Sequence, residues 1–130
     1  MDGIARPQAP TPDYKALFEA TPSPCLVLSP DFRIQAVNAE YLKATSTVRE
    51  DIVGYGIFEV FPDNPDDPAA NGTANLRASL NRVLASRQPD TMAVQKYDIP
   101  VDRPDGGRFE ERYWNPVNVP VFGPDGQLEY

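Results

Sequence analysis

Apolar positions recur along the chain in a few distinct patterns. Tyr14, Leu17 and Phe18 fall at i, i+3 and i+4 and predict one face of a short helix. Thr11 is placed to cap it, with Pro12 at the first helical position and Asp13 at the positive end of the dipole. Thr21-Pro22-Ser23-Pro24 ends it. The continuous run Cys25-Leu26-Val27-Leu28 predicts a strand covered on both faces, and the first helix is a natural cover for one of them. Ser29-Pro30-Asp31 then turns the chain into a second strand over residues 32–37, completing a hairpin.

Asn38 caps one or two helical turns reaching Lys43. Thr47-Val48-Arg49-Glu50 fits a capping box whose helix ends at Gly54. Ile57, Phe58, Val60 and Phe61 are spaced closely enough to be core. Residues 62–68, PDNPDDP, form an acidic surface loop. The longest helix starts at Asn71 or Thr73, lines up Leu76, Leu80, Val83 and Leu84 on one face, and ends at Pro89.

A third strand over residues 91–99 leads through the turn Pro104-Asp105-Gly106-Gly107 into a fourth over residues 109–122. Asp125-Gly126 announces a fifth strand that residues 127–130 only begin. Pro116 and Pro120 lack N–H groups that one neighbouring strand would use, so a bulge or frayed pairing is expected there. The fold class is α+β: an antiparallel sheet of up to five strands, with the short helices and the longer one packed on one face.

Charge and composition narrow the function. The chain has 130 residues, enough for one domain with a real core, here residues 11–130 behind a flexible tail at 1–10. A formal net charge of −7 argues against nucleic acid and anionic membrane surfaces as partners. No apolar run is long enough to span a membrane, and the single Cys25 suits a reducing compartment, which points to the cytoplasm. Histidine is absent, which removes His-based acid/base catalysis, His-ligated zinc and His-ligated haem together. Asp63, Asp66 and Asp67 lack the glycine and terminal glutamate of a calcium loop. Glu110 and Glu111 point to opposite faces of a strand and cannot cooperate as paired acids.

Three segments together resemble the PAS sensor-domain family. SPDFRIQAVNAEYLKAT is similar to that family's first hairpin followed by an asparagine, here Asn38, at the next helix. REDIVGYGIFEVFPDNP is similar to its short helix, glycine and hydrophobic motif, carried here by Ile52, Gly54, Phe58, Phe61 and Pro62. RFEERYWNPVNVPVFGPDGQLEY resembles its penultimate strand, with Pro120 and the Asp-Gly turn before the last strand. The resemblance runs from about Asp13 to Tyr130, and the last segment especially resembles sensory PAS domains attached to bacterial histidine kinases.

The resemblance implies a regulatory, non-catalytic module that binds a small ligand, forms a homodimer and signals to a C-terminal output domain in a longer chain. It also implies a central position for the last strand. That position is filled by later residues, by another subunit through β-addition, or by the short stub at 128–130. The Asn-Cys-Arg-Phe-Leu-Gln motif of cysteinyl-flavin photosensors is missing, and Cys25 lies in the first strand as an inert buried thiol, so the cofactor is left open.

Leu26, Leu28, Tyr41, Phe58, Leu80, Leu84, Met92 and Val94 either line a small apolar cavity or fill the core. Trp114 is a ligand-stacking wall or a core aromatic. Asn118 orients a ligand or bonds the backbone beside Pro120. Tyr14, Leu17 and Phe18 pack on the sheet, make a dimer contact, or do both. The alternatives in function are a ligand-free dimerisation module and a small α+β enzyme of isomerase-like fold.

Overall fold

The computed structural model describes residues 6–101 and 108–130. The expected turn at residues 104–107 and the first five residues of the tail lie outside the described residues.

Helix α1 (Tyr14–Ala20) is capped by Asp13, whose carboxylate accepts from the Ala16 N–H at 3.0 Å. This corrects Thr11 as the cap: the helix starts two residues later, where a carboxylate meets both the orphan donors and the dipole. The helix buries none of its residues and lies beside α2 (Ala39–Thr45), not over the first strand. Arg49 ties it down by holding Glu19 at 2.7 Å.

Strand β1 (Leu26–Leu28) pairs antiparallel with β2 (Ile34–Val37), with an irregularity between Val27 and Leu28. β2 starts at Ile34, not at residue 32, because Phe32 takes a left-handed turn conformation (φ 67°). The far edge of β2 is closed by loop backbone: Ile34 N–H donates to Tyr55 C=O, and Gly54 N–H donates to Ile34 C=O.

Asn38 caps α2 as its position predicts, and it is fully buried. The capping box at 47–50 does not form. Thr47 spends its hydroxyl on Thr45, 2.7 Å away, and α3 (Arg49–Ile52) begins after Val48 with no side-chain cap. The next short helix, α4 (Ile57–Val60), has a cap not read from the sequence: the Glu59 carboxylate accepts from the Gly56 N–H at 3.0 Å.

The acidic loop also caps a helix. Asp63 accepts from the Thr73 N–H at 3.1 Å and from its hydroxyl at 2.6 Å, fixing the first turn of α5 (Gly72–Ser86). Arg87 ends α5 in a left-handed conformation (φ 59°), two residues before Pro89. Gly72 lies so close to the Tyr97 ring that a Cβ there would stand 2.6 Å from it. Ile34, Val37, Ile52, Ile57, Val60, Phe61 and Ile99 form the buried core between these elements.

The third and fourth strands of the sequence reading form one long, interrupted hairpin. Its ladder runs through β3 (Asp90–Thr91) with β8 (Val117–Asn118), β4 (Gln95–Lys96) with β7 (Tyr113–Trp114), and β5 (Ile99–Pro100) with β6 (Phe109–Glu110). Thr91 pairs with Val117, yet Gln95 pairs with Trp114, so residues 92–94 oppose only residues 115 and 116. That is a β-bulge beside Pro116, carried by the partner strand. Pro116 C=O still accepts from Met92 N–H at 2.9 Å. After β8 the chain turns at Gly126 and returns as far as Tyr130, with Phe122 bridged to Leu128 and Val121 N–H donating to Tyr130 C=O.

Candidate functional site: a cavity between helices and sheet

Among the described residues the β1–β2 pair and the long hairpin share no ladder. A cavity of about 740 Å³ occupies the space they leave. One wall is the β1 segment from Ser23 to Leu28, the opposite wall is the hairpin from Met92 to Val121, and α2, α4 and α5 close the floor through Tyr41, Ile57 and Leu76. The volume is within the range of small-molecule sites.

Six of the residues singled out from the sequence line this cavity: Leu26, Leu28, Tyr41, Met92, Trp114 and Asn118. Four do not. Val94 is 65 % exposed, because the bulge inserts a residue and reverses the strand's alternation after Met92. The inward positions become Gln95, Tyr97 and Ile99, all of which line the cavity. Phe58 turns away to meet Phe32 edge-on at 6.3 Å, with the Arg77 guanidinium 4.2 Å over its ring. Leu80 and Leu84 line a smaller hollow of about 120 Å³ on the other side of Asn118, and Leu84 is partly exposed. Buried Ser79 and Val83, with half-buried Leu76, carry the inner face of α5. Cys25, read as an inert core thiol, is half-buried and lines the cavity.

Polar groups along the walls are held in place. Trp114 Nε1–H donates to Tyr97 C=O at 2.9 Å, which sets the indole across the cavity wall. The Tyr97 hydroxyl donates to Phe61 C=O. Burial raises the Tyr97 phenol, helped by the Asp63 charge, and burial alone raises that of Tyr41, so both stay protonated. Asn75 Nδ2 donates to Gln95 Oε1 at 2.7 Å, and Gln95 Nε2 donates to Ala93 C=O at 3.0 Å inside the bulge.

Asn118 does not bond the backbone beside Pro120. Its Nδ2 donates to Ser79 Oγ at 2.8 Å and touches Met92 Sδ at 3.6 Å. The Ser79 hydroxyl donates to Asp90, which Arg82 holds in a fork at 2.9 and 3.1 Å. Arg82 and then Ser79 hold the Asp90 carboxyl below its ordinary range. A polar chain thus runs from the cavity wall through α5 to the surface.

This architecture is a known one. A family model described as "PAS fold" matches residues 18–130. The chain belongs to the PAS family. Among solved structures, this PAS domain is similar to a sensory box sensor histidine kinase from Vibrio cholerae, at 19 % identity and TM-score 0.56, over 89 % of this chain and 81 % of that one. It is similar to the PAS domain of Bordetella pertussis BvgS at 24 % identity and TM-score 0.56, over 89 % of this chain and 76 % of the other. No curated protein matches the chain. At these identities the solved structures establish the PAS fold and leave the chemistry to the residues of this chain.

Tyr14 and Leu17, read as sheet packing or a dimer contact, are 69 % and 58 % exposed, while Phe18 is half-buried. No described helix is long and apolar enough to cross a membrane, and no metal-binding cluster of acidic, cysteine or histidine side chains occurs among the described residues.

Proposed function

We propose that this PAS domain is the sensory module of a bacterial signalling protein of the histidine-kinase type, acting in the cytoplasm. It is not itself catalytic. Occupancy of the cavity by a small molecule would bias a C-terminal output domain across a homodimer. The supporting observation is the cavity of about 740 Å³, walled by Trp114 and Met92 on one side and β1 on the other. A ligand can shift such a module only by its differential affinity for two arrangements of the domain. Because the cavity lies between β1–β2 and the hairpin, a molecule seated there touches both and can favour one spacing over the other.

Native and denaturing mass spectrometry of the purified protein, with an absorption spectrum of the same sample, tests this reading. A mass retained in the native run and lost on denaturation supports it. A ligand-free protein whose kinase response survives Leu76→Trp, which fills the floor of the cavity, refutes it. Phe58 and Leu80 are poor positions for that substitution, since neither side chain lines the cavity.

A second reading, a dimerisation module that needs no ligand, draws support from one specific feature. Tyr14 and Leu17 on α1 are exposed, as are Val117, Val119 and Val121 on the hairpin. Exposed apolar side chains in such groups mark contact surfaces. Tyr14→Lys with Leu17→Glu should then turn a dimer into a monomer in sedimentation experiments.

A further inference from the structure

Resting on the ligand-sensing reading, we propose that the cavity takes an uncharged, mainly apolar molecule with one acceptor for the Tyr41 hydroxyl and one donor for the Asn118 carboxamide oxygen.

No charged side chain among the described residues lines the cavity. An ionic ligand would shed its hydration and meet no counter-charge, which is strongly unfavourable. Nearby charges already have partners: Asp90 with Arg82, Lys96 with Asp67 and Asp98, and Arg77 over the Phe58 ring. The net charge of −7 further opposes anions.

Most side-chain polar atoms of the inner wall are satisfied within the protein. The Tyr97 hydroxyl, Trp114 Nε1 and both ends of the Gln95 amide have partners, and the Thr45 hydroxyl is bonded to Tyr41 C=O at 2.7 Å. Ser23, Tyr113 and Asn115 stand at the rim and are exposed to solvent. Besides the weakly polar Cys25 thiol and the open strand edges, two inner side-chain groups remain among the described residues. The Tyr41 ring packs edge-on to Phe61 at 6.2 Å, and its hydroxyl has no hydrogen-bond partner among the described residues. Kept protonated by burial, that hydroxyl is a donor.

Asn118 supplies the acceptor, and its orientation follows from proton counting. Asp90, ionised beside Arg82, can only accept. Ser79 therefore gives its single proton to Asp90 and must accept from Asn118. That turns the Asn118 Nδ2 to Ser79 and leaves its Oδ1 without a partner among the described residues. The fork of Arg82 on Asp90 thereby fixes, two hydrogen bonds away, which end of the amide the cavity can use.

Two uncharged fluorophores and one anionic one test this. N-phenyl-1-naphthylamine carries an N–H donor. 6-Propionyl-2-dimethylaminonaphthalene carries a carbonyl acceptor. 8-Anilinonaphthalene-1-sulfonate has the rings of the first plus a sulfonate. Each is titrated into the protein and read by its own emission, with energy transfer from Trp114, the single tryptophan, reporting proximity in the wild type. Both neutral probes should bind at least ~10-fold more tightly than the sulfonate, and Leu76→Trp should abolish their binding. Tyr41→Phe should weaken the carbonyl probe ~5- to 10-fold and leave the N–H probe within ~2-fold, as loss of one hydrogen bond predicts. Asn118→Ala should do the reverse. Circular dichroism on each variant separates lost binding from lost fold.

Equal or tighter binding of the sulfonate, abolished by Leu76→Trp, overturns the ligand class and leaves a ligand-sensing cavity standing. Neutral binding that ignores both Tyr41→Phe and Asn118→Ala overturns the assigned contacts. If no probe binds and native mass spectrometry retains no molecule, the ligand-sensing reading falls and this proposal falls with it.

Discussion

Asn38→Ala should be the most costly single truncation of a polar side chain in this domain. The fully buried amide makes four hydrogen bonds. Its Oδ1 accepts from Tyr41 N–H and Cys25 N–H, both at 2.9 Å, and its Nδ2 donates to Ser23 C=O at 2.8 Å and Thr21 C=O at 3.2 Å. One side chain therefore caps α2, sets the start of β1 and holds the chain leaving α1. Loss of a helix cap costs about 1 kcal/mol. The other three bonds contribute about 0.5–1.5 kcal/mol each, less where water reaches exposed Ser23. Together the loss should be about 3 kcal/mol, or a fall in Tm of about 9–15 °C.

Thermal and urea unfolding followed by circular dichroism measure it. Asn38→Asp separates the parts. It keeps both acceptor bonds but sets a carboxylate oxygen against two carbonyls, so its folded pKa should rise above the unfolded value. Its deficit relative to wild type should then be smallest below the unfolded carboxylate pKa and grow as pH rises through the folded one. A loss below ~1 kcal/mol for Asn38→Ala, or an Asn38→Asp deficit independent of pH, would refute this account of the junction.

Three further outcomes follow from the bulge, the helix start and the surface ion cluster. Val94→Asp should change stability by less than ~0.5 kcal/mol, whereas Met92→Asp, two residues away and 6 % exposed, should cost more than ~2 kcal/mol in urea unfolding. Gly72→Ala should destabilise by ~1–3 kcal/mol despite alanine's higher helix propensity, because its Cβ meets the Tyr97 ring; a neutral or stabilising result in a thermal melt would exclude that contact.

Lys96 Nζ bridges Asp98 at 2.8 Å and Asp67 at 2.9 Å. Burial pushes Asp98 up, but Lys96 and Asn64 outweigh it and hold the carboxyl below its ordinary range; Lys96 and the Ala69 N–H do the same for Asp67. Both depressed carboxylates stabilise the fold above their unfolded pKa and lose that effect as pH falls through the folded values. The deficit of Lys96→Met should therefore be full at neutral pH and shrink in acid, as measured by melts across pH 3–7.

Local signals were legible where a residue acts on its near neighbours. Asn38 reads as a cap because the cap bond spans three residues, and α5 reads from its apolar spacing. Thr47 and Glu50 also had the right spacing for a cap, but Thr45 lies within reach of the same hydroxyl and wins it. The other three bonds of Asn38 reach Thr21, Ser23 and Cys25, thirteen to seventeen residues away, and no local pattern announces them. Asp63 looked like part of a solvated acidic loop, and its capping of Thr73 across ten residues is likewise a product of the fold.

The sequence by itself determined the order of elements, the α+β class, the first hairpin and the family, because these rest on hydrophobic period, turn residues and motifs a few positions long. The tertiary structure decided which side chains face the cavity. A strand's alternation carries no memory of a bulge, so one inserted residue between Thr91 and Gln95 moved the inward face from Val94 to Gln95, Tyr97 and Ile99. It also decided the direction of the Asn118 amide. That direction depends on Ser79 and Asp90, residues from two other elements, and on a proton count that only their proximity makes possible.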